Sequence, residues 1–308
     1  MHPYTKKNKI WLDEQYQRCD NQSIYFAYQP IYGIGKGHSQ PNYIDKYIRT
    51  YQNIRALSHF TFSSVLDVGS AEGFQAYVIS QIFGIKAECC DLSKEACKRA
   101  KEIFKLKATP ADLHNLPFKD NEFDIVTCCD TLEHVTDLQK AINELLRIAK
   151  TAVVIMVPHE SKKVIKQNIK NKEIHTHVHC FDTNSFNYLQ RKYGYKIKSK
   201  RTNSLILKPL SFMLEGSPSQ TYKTTKYPTL FRKFTNLTAS ILKKFSPKLI
   251  ASYLIKLDGY LSKINTNYMG IQSIIIKNGA FYSNREKVRI LPRQILELTV
   301  PFHFLKNR

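Results

Sequence analysis

The sequence predicts an α/β protein built on a doubly wound, mostly parallel sheet, with an N-terminal cap and a C-terminal helical insertion. Three observations lead there. Between residues 64 and 158 short apolar runs alternate with stretches of helical periodicity, the pattern of strands linked by crossover helices. The first apolar run, Val65 to Val68, leads into Gly69-Ser70-Ala71-Glu72-Gly73, and Gly69 lets the backbone come close to a ligand where a side chain would block it. The next runs lead to carboxylates, Asp91 and then Asp112, and in open sheets of this kind ligands lie at the carboxyl ends of the strands.

Taken in order, residues 1–60 read as a cap. It carries Tyr25, Phe26, Tyr28 and Tyr32, the loop Gly33 to Ser39, and a helix-like stretch from Tyr43 to Leu57. The Gly-Ile-Gly-Lys-Gly loop lacks the spacing and the following hydroxyl residue of a phosphate-binding P-loop. The core spans 61–207. Behind its first strand comes a helix over Gly73 to Ile82. A strand over Lys86 to Cys90 follows, with Asp91 at its end, and then a helix over Lys94 to Phe104. A short strand precedes Asp112 and Leu116-Pro117-Phe118, and Phe123 to Thr127 is the fourth strand. The helix over Asp137 to Ala149 has Thr136 and Gln139 at capping-box spacing and a stripe of Leu138, Ile142, Leu145, Leu146 and Ile148. Ala152 to Val157 is a central strand ending at Pro158-His159, and a helix follows over Thr183 to Lys192. Residues 208–267 are a basic insertion whose stretch from Pro228 to Ile264 reads as two amphipathic helices broken at Pro247. Residues 268–278 return the final core strand, Ile271 to Ile276, and 279–308 form a basic tail.

Composition fits one catalytic-size core with appended elements: 308 residues, 43% hydrophobic. The seven cysteines lie mostly in predicted buried strands and read as reduced core residues, which points to the cytoplasm. The N-terminus lacks a signal-peptide apolar stretch, and no run of eighteen apolar residues exists. The net charge is +22; residues 201–308 alone carry 18 Lys and Arg against 4 Asp and Glu. A basic face of this kind attracts phosphates of nucleic acid, anionic headgroups or acidic glycans, the alternative being a plain solvated surface.

The ordered series Asp67, Gly69, Gly73, Asp91, Asp112 and Leu132-Glu133-His134-Val135 resembles the class I S-adenosylmethionine-dependent methyltransferases. Within them it resembles the small-molecule and glycan branch with a Leu-Glu-His-Val motif. The resemblance covers roughly residues 60–200, more weakly 268–277. It implies that Asp67, Gly69 and Gly73 hold the methionine part of S-adenosylmethionine, Asp91 the ribose and Asp112 the adenine amino group. The neighbouring Ser70, Leu92, Leu113 and Cys129 complete the cofactor contacts. One departure stands out: the family's middle glycine is Ala71. The third glycine of a dinucleotide fingerprint is also missing, which argues against NAD.

Methyl transfer from a sulfonium requires alignment of the acceptor and, for a hydroxyl, a base. Candidates at the expected mouth are Asp130, His134, His159 and His179, the last in Glu173-Ile-His-Thr-His-Val-His-Cys-Phe. His175, His177 and His179 would face one way in an extended segment, a pattern open to metal binding. No cysteine or carboxylate beyond Glu173 stands at tight ligand spacing, so the expectation is no metal. The Asn/Asp-Pro-Pro-Tyr/Phe signature of adenine and glutamine methyltransferases is absent, since Cys128-Cys129-Asp130-Thr131 stands there. The reading is O-methylation of a sugar hydroxyl or similar small polar acceptor in glycan or natural-product biosynthesis, free or linked to a lipid or nucleotide. Residues 228–264 act as a lid in one reading and touch a membrane surface in the other. The rivals are an RNA methyltransferase, with nucleic acid the less favoured partner, and a non-catalytic binding protein of the same fold.

Overall fold

In a computed structural model of the chain, the described residues are 1–19, 25–33, 43–171, 173–207 and 246–298. The Gly-rich loop beyond Gly33, the first of the two expected insertion helices (228–245) and the end of the basic tail lie outside them. The elements run α1 (Pro3–Gln17), α2 (Tyr43–Leu57), β1 (Val65–Val68), α3 (Phe74–Phe83), β2 (Ala87–Asp91), α4 (Lys94–Phe104) and β3 (Lys107–Pro110). After these come β4 (Phe123–Cys129), α5 (Leu138–Ile148), β5 (Ala149–Pro158), α6 (Lys162–Asn171), α7 (Tyr188–Tyr193), β6 (Lys196–Ser204), α8 (Pro247–Ile264), β7 (Tyr268–Ile276) and α9 (Pro292–Glu297).

The strands form one seven-stranded sheet in the order β3-β2-β1-β4-β5-β7-β6. The first five strands are parallel; β7 runs antiparallel between β5 and β6. The order reverses between β1 and β4, which opens a crevice at their carboxyl ends. Alternation along each strand divides the apolar residues between two faces. Val65, Cys89, Ile125, Val154 and Ile274 pack with α2, α3 and α4. Leu66, Val68, Cys90, Val126, Cys128, Val153 and Ile275 pack with α5 and α7. All seven cysteines are free, and Cys89, Cys90, Cys97 and Cys128 are buried in these cores.

Most expected elements are present with ends shifted by a residue or a few. Helix α5 buries Ala141, Ile142, Leu145, Leu146 and Ile148, as its stripe requires. Its cap differs from the sequence reading. Asp137, not Thr136, is the N-cap and accepts from the Lys140 backbone N–H at 2.9 Å, because the carboxylate sits one residue nearer the first free N–H groups. Thr136 faces His114 instead, and Gln139 donates to Asn143.

Residues 1–60 do not form a separate core: Ile44, Tyr47, Ile48 and Ile54 of α2 share one cluster with Phe74, Val78 and the sheet. Helix α8 packs on α2, β6 and α9. Fully buried Asp258 ties it to the end of β6 by accepting from the backbone N–H groups of Asn203 (3.2 Å) and Ser204 (2.7 Å). Leu249, Tyr253, Tyr260 and Ile264 on α8 remain exposed. Among the described residues no helix is long and apolar enough to cross a membrane.

Candidate active site

The turn after β1 is built against the end of β2. The N–H groups of Gly69 and Ser70 both donate to the Cys90 carbonyl, at 2.8 and 3.1 Å, and Gly73 N–H closes the turn onto Ser70. Gly69 has φ +71°, and a Cβ there would lie 2.0 Å from Thr131 Oγ1. Its requirement is therefore close approach of the loop after β4 as well as left-handed backbone. Ala71, at the place where the resembled family has its middle glycine, also adopts positive φ (+49°), a conformation that is costly for a residue with a Cβ. Asp91 offsets this by taking the Ala71 N–H on Oδ2 at 2.9 Å and the Ser93 N–H on Oδ1 at 2.8 Å.

A cavity of ≈ 570 Å³ opens over this turn and runs to the loops after β4 and β5. At one end Asp67, Gly69, Ala71, Asp91, Leu92, Asp112, Leu113 and Cys129 line it. Asp67 is 1% exposed. Its Oδ1 accepts from Gln75 Nε2 (2.7 Å) and from the hydroxyl of Thr127 (2.6 Å), its register partner on β4. Its Oδ2 is buried with no hydrogen-bond partner among the described residues. Burial, helped by the nearby Asp91 charge, raises the Asp67 carboxyl to about 6 in spite of the two hydrogen bonds. Burial likewise drives the Cys129 thiol upward, so it sits there as a neutral, weakly polar group. Asp112 is engaged with His114, whose Nδ1 lies 2.6 Å from Oδ1.

The other end is polar and ionic. Arg49 from α2 pairs with Asp130 after β4. Glu133 and His134 come from the short turn Leu132–His134, and His175 and His177 from the segment after α6. The Val178 N–H donates to the Glu133 carbonyl at 2.8 Å and pins those two segments together. Burial raises the Glu133 carboxyl to about 7. Burial and the neighbouring rings of His175 and His177 hold His134 well below its ordinary value.

Of the residues expected to act on the acceptor, Asp130 and His134 line the cavity, and His159 and His179 do not. His159 is turned to the Phe181 carbonyl (2.7 Å) and stacks on Tyr268; His179 meets the Val135 carbonyl (2.7 Å). Both rings anchor loops through backbone acceptors. On the cofactor side Ser70 and Gly73 also stand behind the cavity wall. A Cβ on Gly73 would meet Ala100 and Leu106 at 2.9 Å, so that glycine serves contact between elements rather than a ligand.

Several residues that line the wall or hold it in place escape sequence reading because distant segments deliver them. Glu72, fully buried, accepts the Tyr28 N–H and lies 3.7 Å from Arg99. Arg99 in turn donates to the Phe26 and Arg18 carbonyls and sits over the Tyr25 ring. Gln29 accepts the Phe74 N–H at the start of α3 (2.8 Å). Together these bind residues 25–33 onto the glycine turn. Thr5, Asn8, Leu12 and Tyr16 of α1 form part of the cavity wall. The aromatic residues before Gly33 gave the sole sequence signal for this closure.

Residues 66–157 match the family model described as a methyltransferase domain. The chain is similar to norajmaline N-methyltransferase of Rauvolfia serpentina, 32% identical over 101 residues, covering 30% of this chain and 35% of that protein. It is also similar to the ubiquinone/menaquinone biosynthesis C-methyltransferase of Rickettsia massiliae, 30% identical over 118 residues, covering 34% and 45% of the two. The chain thus spans between about a third and a half of the length of these curated relatives. Among solved structures, geranyl diphosphate C-methyltransferase from Streptomyces coelicolor A3(2), in complex with Mg2+, geranyl diphosphate and S-adenosyl-L-homocysteine, has a TM-score of 0.52. It covers 90% of this chain and 98% of that one at 13% identity, a likeness of fold. The chain therefore contains a methyltransferase domain on a Rossmann-like fold.

Proposed function

We propose that this protein is an S-adenosylmethionine-dependent methyltransferase whose acceptor is a hydroxyl of a small polar molecule, a sugar or a sugar-like unit. The observation that carries the proposal is the cofactor end of the cavity. Three carboxylates, Asp67, Asp91 and Asp112, stand in it in chain order around a glycine turn, within a segment that matches a methyltransferase domain. The donor set fits the group. Asp67 Oδ2 is a buried oxygen with no partner among the described residues, suited to the ammonium of the methionine part. Asp91 keeps lone pairs for ribose hydroxyls after holding the turn, and Asp112 is the acceptor nearest the adenine end. When bound, S-adenosylmethionine supplies a methyl group on a sulfonium.

The chain's own part is alignment and handling of a proton. The polar end of the cavity favours an acceptor that hydrogen-bonds. Arg49 and Asp130 offer a donor and an acceptor side by side, and His134, kept neutral by its surroundings, offers a lone pair.

The test has two stages. Calorimetry with S-adenosylmethionine and S-adenosylhomocysteine should give one site per chain, weakened by about 30–150-fold in Asp67→Ala, the cost of about 2–3 kcal/mol for losing a charge-assisted hydrogen bond. Transfer of labelled methyl into host-cell extract, fractionated into glycan with nucleotide sugar, lipid, RNA and protein, should then label the first fraction and not in Asp67→Ala. Label in RNA would replace the acceptor class, and absence of cofactor binding would remove the activity itself.

A further inference from the structure

The polar end of the cavity holds a constellation that cofactor binding leaves unused. One ligand-type atom each from Glu133, His134 and His177 lies within 4.8 Å of the other two. His134 Nε2 is 3.9 Å and His177 Nε2 is 4.0 Å from the same Glu133 Oε1.

The remaining ring nitrogens are already committed. His134 Nδ1 lies 3.1 Å from the Thr176 carbonyl. A carbonyl can only accept, so Nδ1 carries the proton and the lone pair of the neutral ring sits on Nε2. His177 Nδ1 lies 3.0 Å from Glu160 Oε1, and the same reasoning leaves its Nε2 lone pair free when the ring is neutral. An imidazole whose far nitrogen donates to a backbone carbonyl or a carboxylate has the outer-shell arrangement of a metal-ligating histidine. The rings are also held in place. His175 stacks on His134 at 4.0 Å and 12°, and Trp11 stacks on His175 at 4.9 Å.

Glu133 supplies the independent observation. Its carboxylate is 1% exposed, and Oε2 has no hydrogen-bond partner among the described residues. Two imidazole lone pairs and an ionised buried carboxylate brought this close repel one another, and a cation held between them relieves that repulsion.

We propose that Glu133, His134 and His177 form a binding site for a divalent first-row cation, zinc by its ligand set, with its open positions turned to the cavity. Two imidazoles and one carboxylate are ligands of the hardness that zinc accepts, and three protein ligands leave room for a further one. Ligands about 2.0–2.1 Å from a tetrahedral ion lie about 3.4 Å apart. The two Glu133 edges therefore need to close by about half an ångström, and the widest pair by no more than about 1.4 Å. The expectation of no metal came from the His-x-His-x-His segment alone. Its histidines do not gather an ion among themselves; His175 stacks, His179 anchors a loop, and His177 meets ligands from the turn after β4. The ion's role toward the acceptor, ligation of its hydroxyl oxygen, rests on the methyl-transfer reading, whereas binding of the ion does not.

The test is titration of the chelator-treated full chain with Co2+ and Zn2+, with cofactor binding measured on the same sample. Co2+ should bind at one equivalent and give visible ligand-field absorption that Zn2+ abolishes. His177→Ala, at a partly exposed ring, should melt as the parent does and bind Co2+ at least tenfold more weakly. Glu133→Gln should lose the spectrum, and His179→Ala should keep it. Absence of ligand-field bands at one equivalent, or unchanged Co2+ affinity in a folded His177→Ala, overturns the site. Cofactor binding in a sample that takes no metal would leave the methyl-transfer reading standing without it.

Discussion

Asp67 concentrates the physics of the cofactor end in one side chain. With its carboxyl raised to about 6 by burial, the folded protein binds a proton more readily than the unfolded chain does. The carboxylate therefore costs stability above pH 6 and nothing below the ordinary Asp range; stability contributed at this site falls as pH rises from about 4 to about 6. A ligand ammonium reverses the preference by stabilising the ionised form. Cofactor affinity should accordingly be full above pH 6 and fall as pH drops through that value. Calorimetry between pH 5 and 8 measures this, and Asp67→Asn should flatten the profile; a parent profile flat across that range would refute the assignment. Glycine positions separate space from conformation in the same way. Gly69→Ala meets both a positive φ and Thr131 at 2.0 Å, so it should cost about 3 kcal/mol or more in urea unfolding. Gly84→Ala, with φ +66° and nothing within 4 Å, should cost about 1 kcal/mol. Equal losses would show that the close approach at Gly69 carries no weight.

At the scale of elements, what could be read in the sequence was what short range determines. The parallel strands and their crossover helices follow from apolar periodicity, and Asp67, Asp91 and Asp112 follow from their places at strand ends. Helix α2 runs over Tyr43–Leu57 as its pattern requires. By contrast α1, α6 and β6 had no strong local signature. Helix α1 is largely polar, with buried Thr5 and Asn8 on its inner side, and β6 is Lys196-Ile-Lys-Ser-Lys-Arg-Thr-Asn-Ser, an edge strand whose lysines mask its pairing. His177 illustrates the same limit within the site: it stands between Glu133 and Glu160, a proximity that only the fold creates. Helix α8 was legible as an amphipathic helix, but its docking was not, because Asp258 reads as a surface residue until β6 is beside it. Its carboxylate accepts from two backbone N–H groups and from Ser262. Asp258→Ala should therefore lower stability by about 2–4 kcal/mol, since it strands two buried donors. Asp258→Asn should recover part of that, as its carbonyl oxygen still accepts. Chemical denaturation checks both, and a loss below about 1 kcal/mol in the alanine variant would mean that α8 is held by its apolar contacts alone.

For the molecule as a whole the question is how a ligand enters a cavity walled by its own N-terminus. Helix α1 lies across both ends. Leu12 and Tyr16 pack with Ala96, Ala71 and Leu92 on the cofactor side, and Asp13 accepts from the Ser93 hydroxyl at 2.6 Å. Toward the acceptor end Asn8 accepts the His175 N–H at 3.0 Å and Trp11 stacks on the same residue. These are few contacts for fifteen residues, and most of the outward face is charged or polar. An element so lightly buried opens at far lower cost than the sheet does, and α1 is thus the part of the described wall best suited to move for entry and release. Cofactor binding should close it. Amide exchange over residues 3–17 should slow by about tenfold or more when S-adenosylhomocysteine is added, while the core of α2, already buried, should change little. Trp11 is the chain's one tryptophan, so its fluorescence should follow the same titration with the same midpoint. If neither exchange in α1 nor Trp11 emission responds to saturating cofactor, α1 is a fixed wall and ligands enter by another route.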